Sequence, residues 1–421
     1  MKTAYLSITP HDPLIARDGR PFGLGIRMKS LDWPYPSVLA GTLRTMLGKM
    51  KGGSFDQKTV EALKRISISG PLPMWNGSLF LHAPKDILVK EEGNKRHSYA
   101  IRPGKMNNGE GCDLPHPSLL PAMLPDSVEE FKPAKIAPLW SLEKMTEWLT
   151  SPDGNSFGTP PAPNEVEGGE TGFLNLPEKD PRMHVKIEPG LGTSEEGMLF
   201  ETIGLDFSVK GRKEEFQIAA KVEADDAFSV LLSQIDSFNS IGGERRLAHW
   251  KAYESQIGWD CPEKITKELS GKTRVRMILA TPAIFAGGWL PGWLHSKGNS
   301  IEGTPPGAPE GLNLKLVSAC IERWKPISGW SLEKDKEGFR KPEPKAIRKP
   351  GPKAIRRLVP AGAVYFFEVA GNAEMLAKKL WLKPVSDDEQ DRNDGFGLAM
   401  WGIWDNTDDG KLKEQKKGTG T

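Results

Sequence analysis

The hydrophobic positions of this chain switch repeatedly between two periods. Tyr5–Pro10 alternates polar and apolar side chains, a period of two that predicts a strand. Leu39, Leu43, Met46, Leu47 and Met50 then recur at helical spacing and predict a helix from an N-cap at Ser37 to about Met50. Gly41 falls on that helix, where glycine costs stability, so a neighbour is expected to approach closely there. Apolar runs at 66–70 and 78–84 predict a strand pair around the turn-rich PLPMWNG. Residues 91–135, rich in Lys, Gly, Asn and Pro, predict a long surface loop, and Ser141–Leu149 a short amphipathic helix. The Pro/Gly/acidic stretch 151–170 predicts a mobile insertion. Strands are expected at 183–189, 197–209 and 216–224, and a helix at Asp225–Asp236.

A second series follows, with strands at 274–285, 312–324, 363–370 and 395–404 and a helix at Ala373–Leu380. The polar tail from Asp408 is expected to fray. Strand, helix, two strands, helix, strand, read twice, predicts an α+β fold. Its units are two ferredoxin-like (RRM-like) βαββαβ domains in tandem with long loop insertions. The expected boundaries are 1–260, carrying insertions at about 91–135 and 151–172, and 261–421, carrying a basic loop at 340–357.

Length and composition agree with this. A chain of 421 residues is long enough for two or three domains, or for one fold with large insertions. No apolar run approaches the ~20 residues of a membrane span, so no membrane partner is expected. The first residues are too polar for a secretory signal. Cys112, Cys261 and Cys320 lie far apart, which suits neither a disulfide framework nor a zinc site, and points to a reducing cytoplasm.

Charge changes the picture locally. The net charge is only +2, from 57 basic and 55 acidic residues, which excludes a uniformly basic surface. Yet residues 340–357 hold eight basic residues and one acid, Glu343, in a tandem repeat, KPEPKAIR (341–348) then KPGPKAIR (349–356). Its prolines keep it extended, suited to tracking a nucleic-acid backbone or to lying solvated.

Other candidate chemistry is anion-binding. The turn Arg17-Asp18-Gly19-Arg20 offers planar guanidinium forks to phosphate, or is a solvated hairpin turn with Asp18 bonding its own backbone. The loop 23–29 adds Arg27 and Lys29, and the helix start at Ser37 adds unpaired N–H groups, with Arg44 a turn further on. GGERR (242–246) pairs two glycines with Arg245 and Arg246, to approach a ligand or to form a turn with arginines paired to Glu244. GFGLAMWGIW (395–404) partly matches an RNA-recognition signature, but reads better as a glycine turn leading into a core strand.

Enzyme signatures are poor. SGKT (270–273) lacks the earlier glycine of a phosphate-binding loop, and no zinc-type spacing or G-x-S-x-G occurs. No metal, cofactor or catalytic residue is expected. His11 is the one candidate general base for ribose 2′-hydroxyl attack, and it reads more readily as a structural strand-end residue.

Several motifs carry a family likeness. They are DPLIARDGRPF (12–22), PYPSVLAGTLRTML (34–47), LFLHAPKDILV (79–89), GGERR, PISGWSL (326–332), PKAIRRLVPAGAVYFF (352–367) and GFGLAMWG (395–402). In this order they resemble the RAMP superfamily of CRISPR proteins, most closely the third subunit of the type III-B Cmr effector complex. The resemblance implies two fused ferredoxin-like domains in a subunit without catalytic role. That subunit would cap the complex and bind the 5′ handle of the guide crRNA. It would dock on the large polymerase-cyclase subunit and the backbone subunit, and meet target RNA only indirectly. On this likeness, Arg17, Arg20, Arg27, Lys29, Arg44, Arg245, Arg246, Lys353, Arg356 and Arg357 are candidate RNA contacts. Asp18 of the turn and Ser37 at the helix start belong to the same candidate RNA-binding set, and Gly242, Gly243, Gly395 and Gly397 would permit close backbone approach. The insertion at 151–170 and the first KPxPKAIR copy depart from the pattern. Two alternatives remain open: a metal-independent crRNA-processing nuclease using His11, and a purely structural scaffold.

Overall fold

The structure is a computed structural model that describes residues 1–18, 28–106, 108–152, 154, 156–208, 216–253, 258–331, 351–352 and 354–405. The tail and most of the basic loop lie outside the described residues.

Two antiparallel sheets carry the chain. Four strands form the centre of the first: β1 (Lys2–Pro10), β2 (Ser67–Trp75), β3 (Phe216–Ala224) and β4 (Arg246–Tyr253), in the order β4-β1-β3-β2. Strand β1 pairs with β3 and β4, and β3 pairs with β2, all antiparallel. Helix α1 (Pro36–Met50) lies between β1 and β2 in the chain, and α2 (Asp226–Ser233) between β3 and β4. Leu39, Leu43 and Leu47 of α1 and Phe228 and Leu232 of α2 are buried in one cluster with Leu6, Ile8, Ile218 and Val222. Asp236–Ile241 widens the sheet beyond β4. Ser78–His82, Leu139–Ser141 and Phe173–Leu174 widen it beyond β2.

The second sheet repeats that order with β5 (Arg274–Leu279), β6 (Asn313–Cys320), β7 (Val364–Ala370) and β8 (Leu398–Ile403), arranged β6-β7-β5-β8. Helix α3 (Glu374–Leu380) connects β7 to β8. Between β5 and β6, where the repeated pattern predicts a helix, the chain forms a hairpin, Leu294–Lys297 with Ser300–Gly303. The Gly/Pro-rich sequence of 286–311 cannot sustain a helix. Tyr365, Phe366 and Phe367 are all fully buried, so both faces of this sheet are covered.

An ionic lock ties the halves together. Asp86 is fully buried after the strand Ser78–His82. Its carboxylate accepts from Trp148 Nε1 at 2.8 Å, Arg102 Nη1 at 3.0 Å and Arg276 Nη1 at 2.6 Å. Arg276, also fully buried, comes from β5, and its Nη2 donates to the carbonyls of Trp148 and Ser151. Desolvation pulls Arg276 down to about 9, against the pull of Asp86 in the other direction.

Several expectations need correction. The N-cap of α1 is Tyr35, and Pro36 takes the first helical position, which leaves Ser37 inside the first turn with no capping bond. Nothing approaches Gly41; the close neighbour meets Gly48 instead, where an added Cβ would stand 2.5 Å from the Phe55 ring. Met50 is exposed at the helix end. Of PLPMWNG, only Asn76-Gly77 turns; both residues have positive φ, and the residues before them continue β2. The surface loop expected at 91–135 opens as a hairpin, Ile87–Glu92 with Lys95–Ala100, and buries Leu119. The 151–170 insertion is packed rather than loose: Phe157 is buried and stacks on Trp140 at 5.0 Å.

Candidate functional site

A cleft of about 1560 Å³ is lined by both halves of the chain. The first half contributes Ser30–Tyr35, the run leading into α1, together with His82–Lys85 and Lys135. The second half contributes Cys320–Pro326, which leaves β6, with Ile355, Leu358 and Pro360. Lys325–Ile327 pairs with Arg356–Leu358, and this short ladder is the stem of the loop that carries the KPxPKAIR repeat. The basic loop therefore springs from the rim of the cleft.

Charges in the lining are mixed. Lys85 pairs with Glu322 at 2.9 Å, and Asp32 with Lys179 at 2.7 Å. Lys135, Arg323 and Lys325 are exposed at the rim. The loop rooted at that rim is basic in sequence, its 340–357 stretch having eight basic residues against one acid. His82 is pushed down to about 3, first by desolvation and then by Lys85 and Lys325, so it is neutral at physiological pH. Trp324 is 47% exposed at the same rim, with the Arg357 guanidinium carbon 5.4 Å from the ring centroid. Burial pushes the Cys320 thiol up to about 12 and Cys261 up to about 11, so neither supplies a thiolate nucleophile near neutral pH.

The candidate contacts fall into three groups. Arg17, Lys29, Arg245 and Arg357 are exposed. Arg17 bridges to Ser30, and Asp18 N donates to Lys29 O at 3.1 Å, which closes the neck of the opening loop beside the cleft. Gly243 N donates to Ile15 O at 2.7 Å, so GGERR and the Arg17 turn share one neighbourhood. Arg20, Arg27 and Lys353 lie outside the described residues.

The second group is committed to the protein itself. Arg44 pairs with Asp394, and its Nη2 donates to the carbonyls of Ile66 at 2.9 Å and Asn393 at 3.0 Å. Arg356 makes a bidentate pair with Asp391, at 2.6 and 2.9 Å. Arg246 pairs with Glu244 at 2.8 Å. The glycines form the third group, and what they approach is protein. A Cβ on Gly242 would stand 2.5 Å from Ile15 O, and one on Gly395 2.6 Å from Ile68 O. Gly243 packs on the Ile15 side chain and Gly397 on Ser386. Residues 395–404 are indeed a glycine turn leading into a buried strand, β8. His11 packs edge-on to Phe238, with ring centroids 5.0 Å apart.

Trp324, Arg323, Lys325, Lys85 and Lys135 are cleft residues that the sequence reading missed. The one available signal is ERWK (322–325), an aromatic flanked by charge just after an apolar strand. Among the described residues no group of three or more His, Cys, Asp or Glu side chains could hold a metal ion, and no helix is long and apolar enough to cross a membrane.

The sequence matches the family model described as CRISPR-associated protein (Cas_Cmr3) over residues 6–404. No curated protein sequence matches the chain. Among solved structures, it is similar to a chain of the Type III-B Cmr-beta complex bound to cognate target RNA and AMPPnP, at 15% identity over 86% of each chain, with a TM-score of 0.44. A chain of Cmr-beta bound to cognate target RNA gives 14% identity over 86% of each chain and a TM-score of 0.45. A chain of the Csm3–Csm4 subcomplex of the type III-A CRISPR-Cas interference complex gives 11% identity, over 96% of this chain and all of that one (100%), with a TM-score of 0.36.

Proposed function

The chain belongs to the CRISPR-associated Cas_Cmr3 family, and from that premise we propose that it is a non-catalytic, RNA-binding subunit of a type III-B effector complex in the cytoplasm. It holds the 5′ handle of the guide crRNA, contacts the large polymerase-cyclase subunit and the backbone subunit, and meets target RNA only through the guide. Each half is a ferredoxin-like unit, the second with a hairpin in place of its first crossover helix. The β4-β1-β3-β2 and β8-β5-β7-β6 orders support that reading, as does the confinement of one sheet to residues 2–253 and the other to 274–403.

The observation that carries the functional reading is a convergence. The neck of the opening loop, the run leading into α1 and the stem of the basic repeat, far apart in sequence, meet at one cleft with an exposed tryptophan on its rim. Cations along a groove with an aromatic beside them suit a single-stranded RNA backbone and its bases.

Crosslinking of the assembled complex to its guide RNA tests this directly. Adducts are expected on the cleft rim and the basic loop, and binding should weaken steeply with salt. A complex whose guide crosslinks only to other subunits would leave the chain a scaffold. The non-catalytic assignment has its own test: incubation of the pure protein with repeat RNA. Site-specific cleavage that disappears in His11→Ala would make the chain a nuclease.

A further inference from the structure

Two cavities meet at Trp324. The run Ile321–Trp324 lines both the cleft and a smaller cavity of about 440 Å³ beside it. Leu119, Leu120 and Val359 give the smaller cavity an apolar interior, and the turn Gly287–Gly288 lines it with bare backbone. That turn is pinned from outside. The Asp387 carboxylate accepts from the N–H groups of Ala286 and Gly292, both at 2.7 Å, and the Tyr365 hydroxyl donates to Trp289 O at 2.6 Å. The cavity is therefore preformed rather than a gap between loose loops. Its charged lining comes from Arg323 and Arg357, with Glu322, which is paired to Lys85.

Trp324 itself is anomalous. Trp401 of β8 and Trp404 just beyond it are buried and donate their indole N–H to carbonyls. Trp324 is 47% exposed, with the Arg357 guanidinium over its ring. A large flat ring kept in water beside a preformed apolar slot is a surface lacking its partner. The partner's chemistry is narrowed by its surroundings. It must present a flat apolar body to the slot and ring, and acceptors or negative charge to two arginines. It must also arrive from the adjoining cleft, where the basic loop begins.

We infer that this cavity receives one unstacked nucleobase of the bound RNA, with Trp324 as its stacking platform. Arg323 and Arg357 hold the phosphates or the acceptor edge around it, while the backbone continues through the cleft. This rests on the RNA-binding reading above and adds to it a base-specific station that the cleft alone does not require.

The test uses the full chain in its reconstituted complex. The RNAs are the 5′ handle of its own repeat and derivatives carrying one abasic nucleotide at successive positions. Trp324→Ala is expected to weaken binding of the intact RNA roughly tenfold, and Trp324→Phe much less. At one abasic position, wild type should bind as weakly as the alanine variant, with no further loss when the two changes are combined. Thermal melting of Trp324→Ala should match wild type, because the ring is half in water. If the losses multiply at every position, the cavity holds no base, while RNA binding by the cleft stands. If the wild-type chain makes no contact with RNA at any salt concentration, both readings fall. If Trp324→Ala leaves RNA binding unchanged and instead releases a neighbouring subunit, the cavity is a protein-docking site and the inference is overturned.

Discussion

Arg276 lies over Trp148 and Arg357 over Trp324, with guanidinium carbons 4.9 and 5.4 Å from the ring centroids. The two pairs are chemically alike and physically opposite. Arg276 is fully buried, its charge met by Asp86 and its Nη2 by the backbone carbonyls of Trp148 and Ser151. Its removal from water is compensated only inside that geometry. Arg357 is exposed on the stem of a basic loop, and its ring partner is half in water. The comparison teaches that an arginine–aromatic pair does not by itself mark a binding site. What marks it is whether the fold has already consumed the hydrogen bonds and the ring faces. In the lock both terminal nitrogens of Arg276 are engaged, and the pair joins two sheets. At the rim the ring keeps about half of its surface in water, and the arginine beside it is exposed.

Breaking the lock should produce the largest effect. Asp86→Ala removes the acceptor of three donors and leaves Arg276 charged without a counter-ion. A cost of about 3–5 kcal/mol is expected, a large share of a domain's ~5–15 kcal/mol. Denaturant unfolding of the purified chain would register it as a fall in midpoint or as failure to fold. A loss under about 1 kcal/mol would show that the halves do not depend on the lock, and the contrast with Arg357 would dissolve.

His82 tests the boundary between the two regions. It stands four residues before Asp86 in the chain, yet it lines the cleft. Its folded value of about 3 lies below the ordinary 6.5, so the unfolded chain takes up a proton that the native state refuses. Stability from this group is therefore intact above about pH 6.5 and declines as pH falls toward 3. The expected loss is about 2 kcal/mol at pH 5. Melting temperatures between pH 7 and 5 should drop more for wild type than for His82→Gln. Parallel curves would mean that water and the rim lysines do not act on this ring as described.

How much of this was legible in the sequence follows from the range of each interaction. Strands with alternating or continuous apolar runs, and the helices Leu142–Leu149 and α2, were readable because their signals are local. The lock was not. Arg276 sits in RVRMIL, where a charged residue reads as an exposed position, and its partner lies 190 residues away. Gly41, expected to meet a close neighbour, meets none, and where other glycines are closely approached the sequence does not say by what. At Gly242 and Gly395 it is the chain's own backbone. Among the arginines, Arg44 and Arg356 face Asp394 and Asp391, partners brought near only by the fold. The cleft itself depends on segments from both halves, and Trp324 gave only the faint signal of an aromatic among charges.

Arg356 and Arg357 allow the sharpest form of the comparison, because they are neighbours on one strand and present their side chains to different surroundings. Arg356 neutralises Asp391, whose carboxyl is held above its ordinary value because desolvation outweighs the help of Arg356. Arg356→Ala strands that carboxylate and should cost about 1–2 kcal/mol, less than a fully buried pair because the arginine is partly in water. Arg357→Ala removes no counter-ion from a buried partner and should stay within about 0.5 kcal/mol of wild type. In RNA binding the order should reverse: Arg357→Ala should lower affinity and flatten the salt dependence by about one phosphate contact, whereas Arg356→Ala should leave the salt slope unchanged. Equal destabilisation by the two variants would place Arg357 in the structural class with Arg276. Equal salt slopes would remove it from the RNA path. Either result would return the exposed tryptophan to the surface residues that need no explanation.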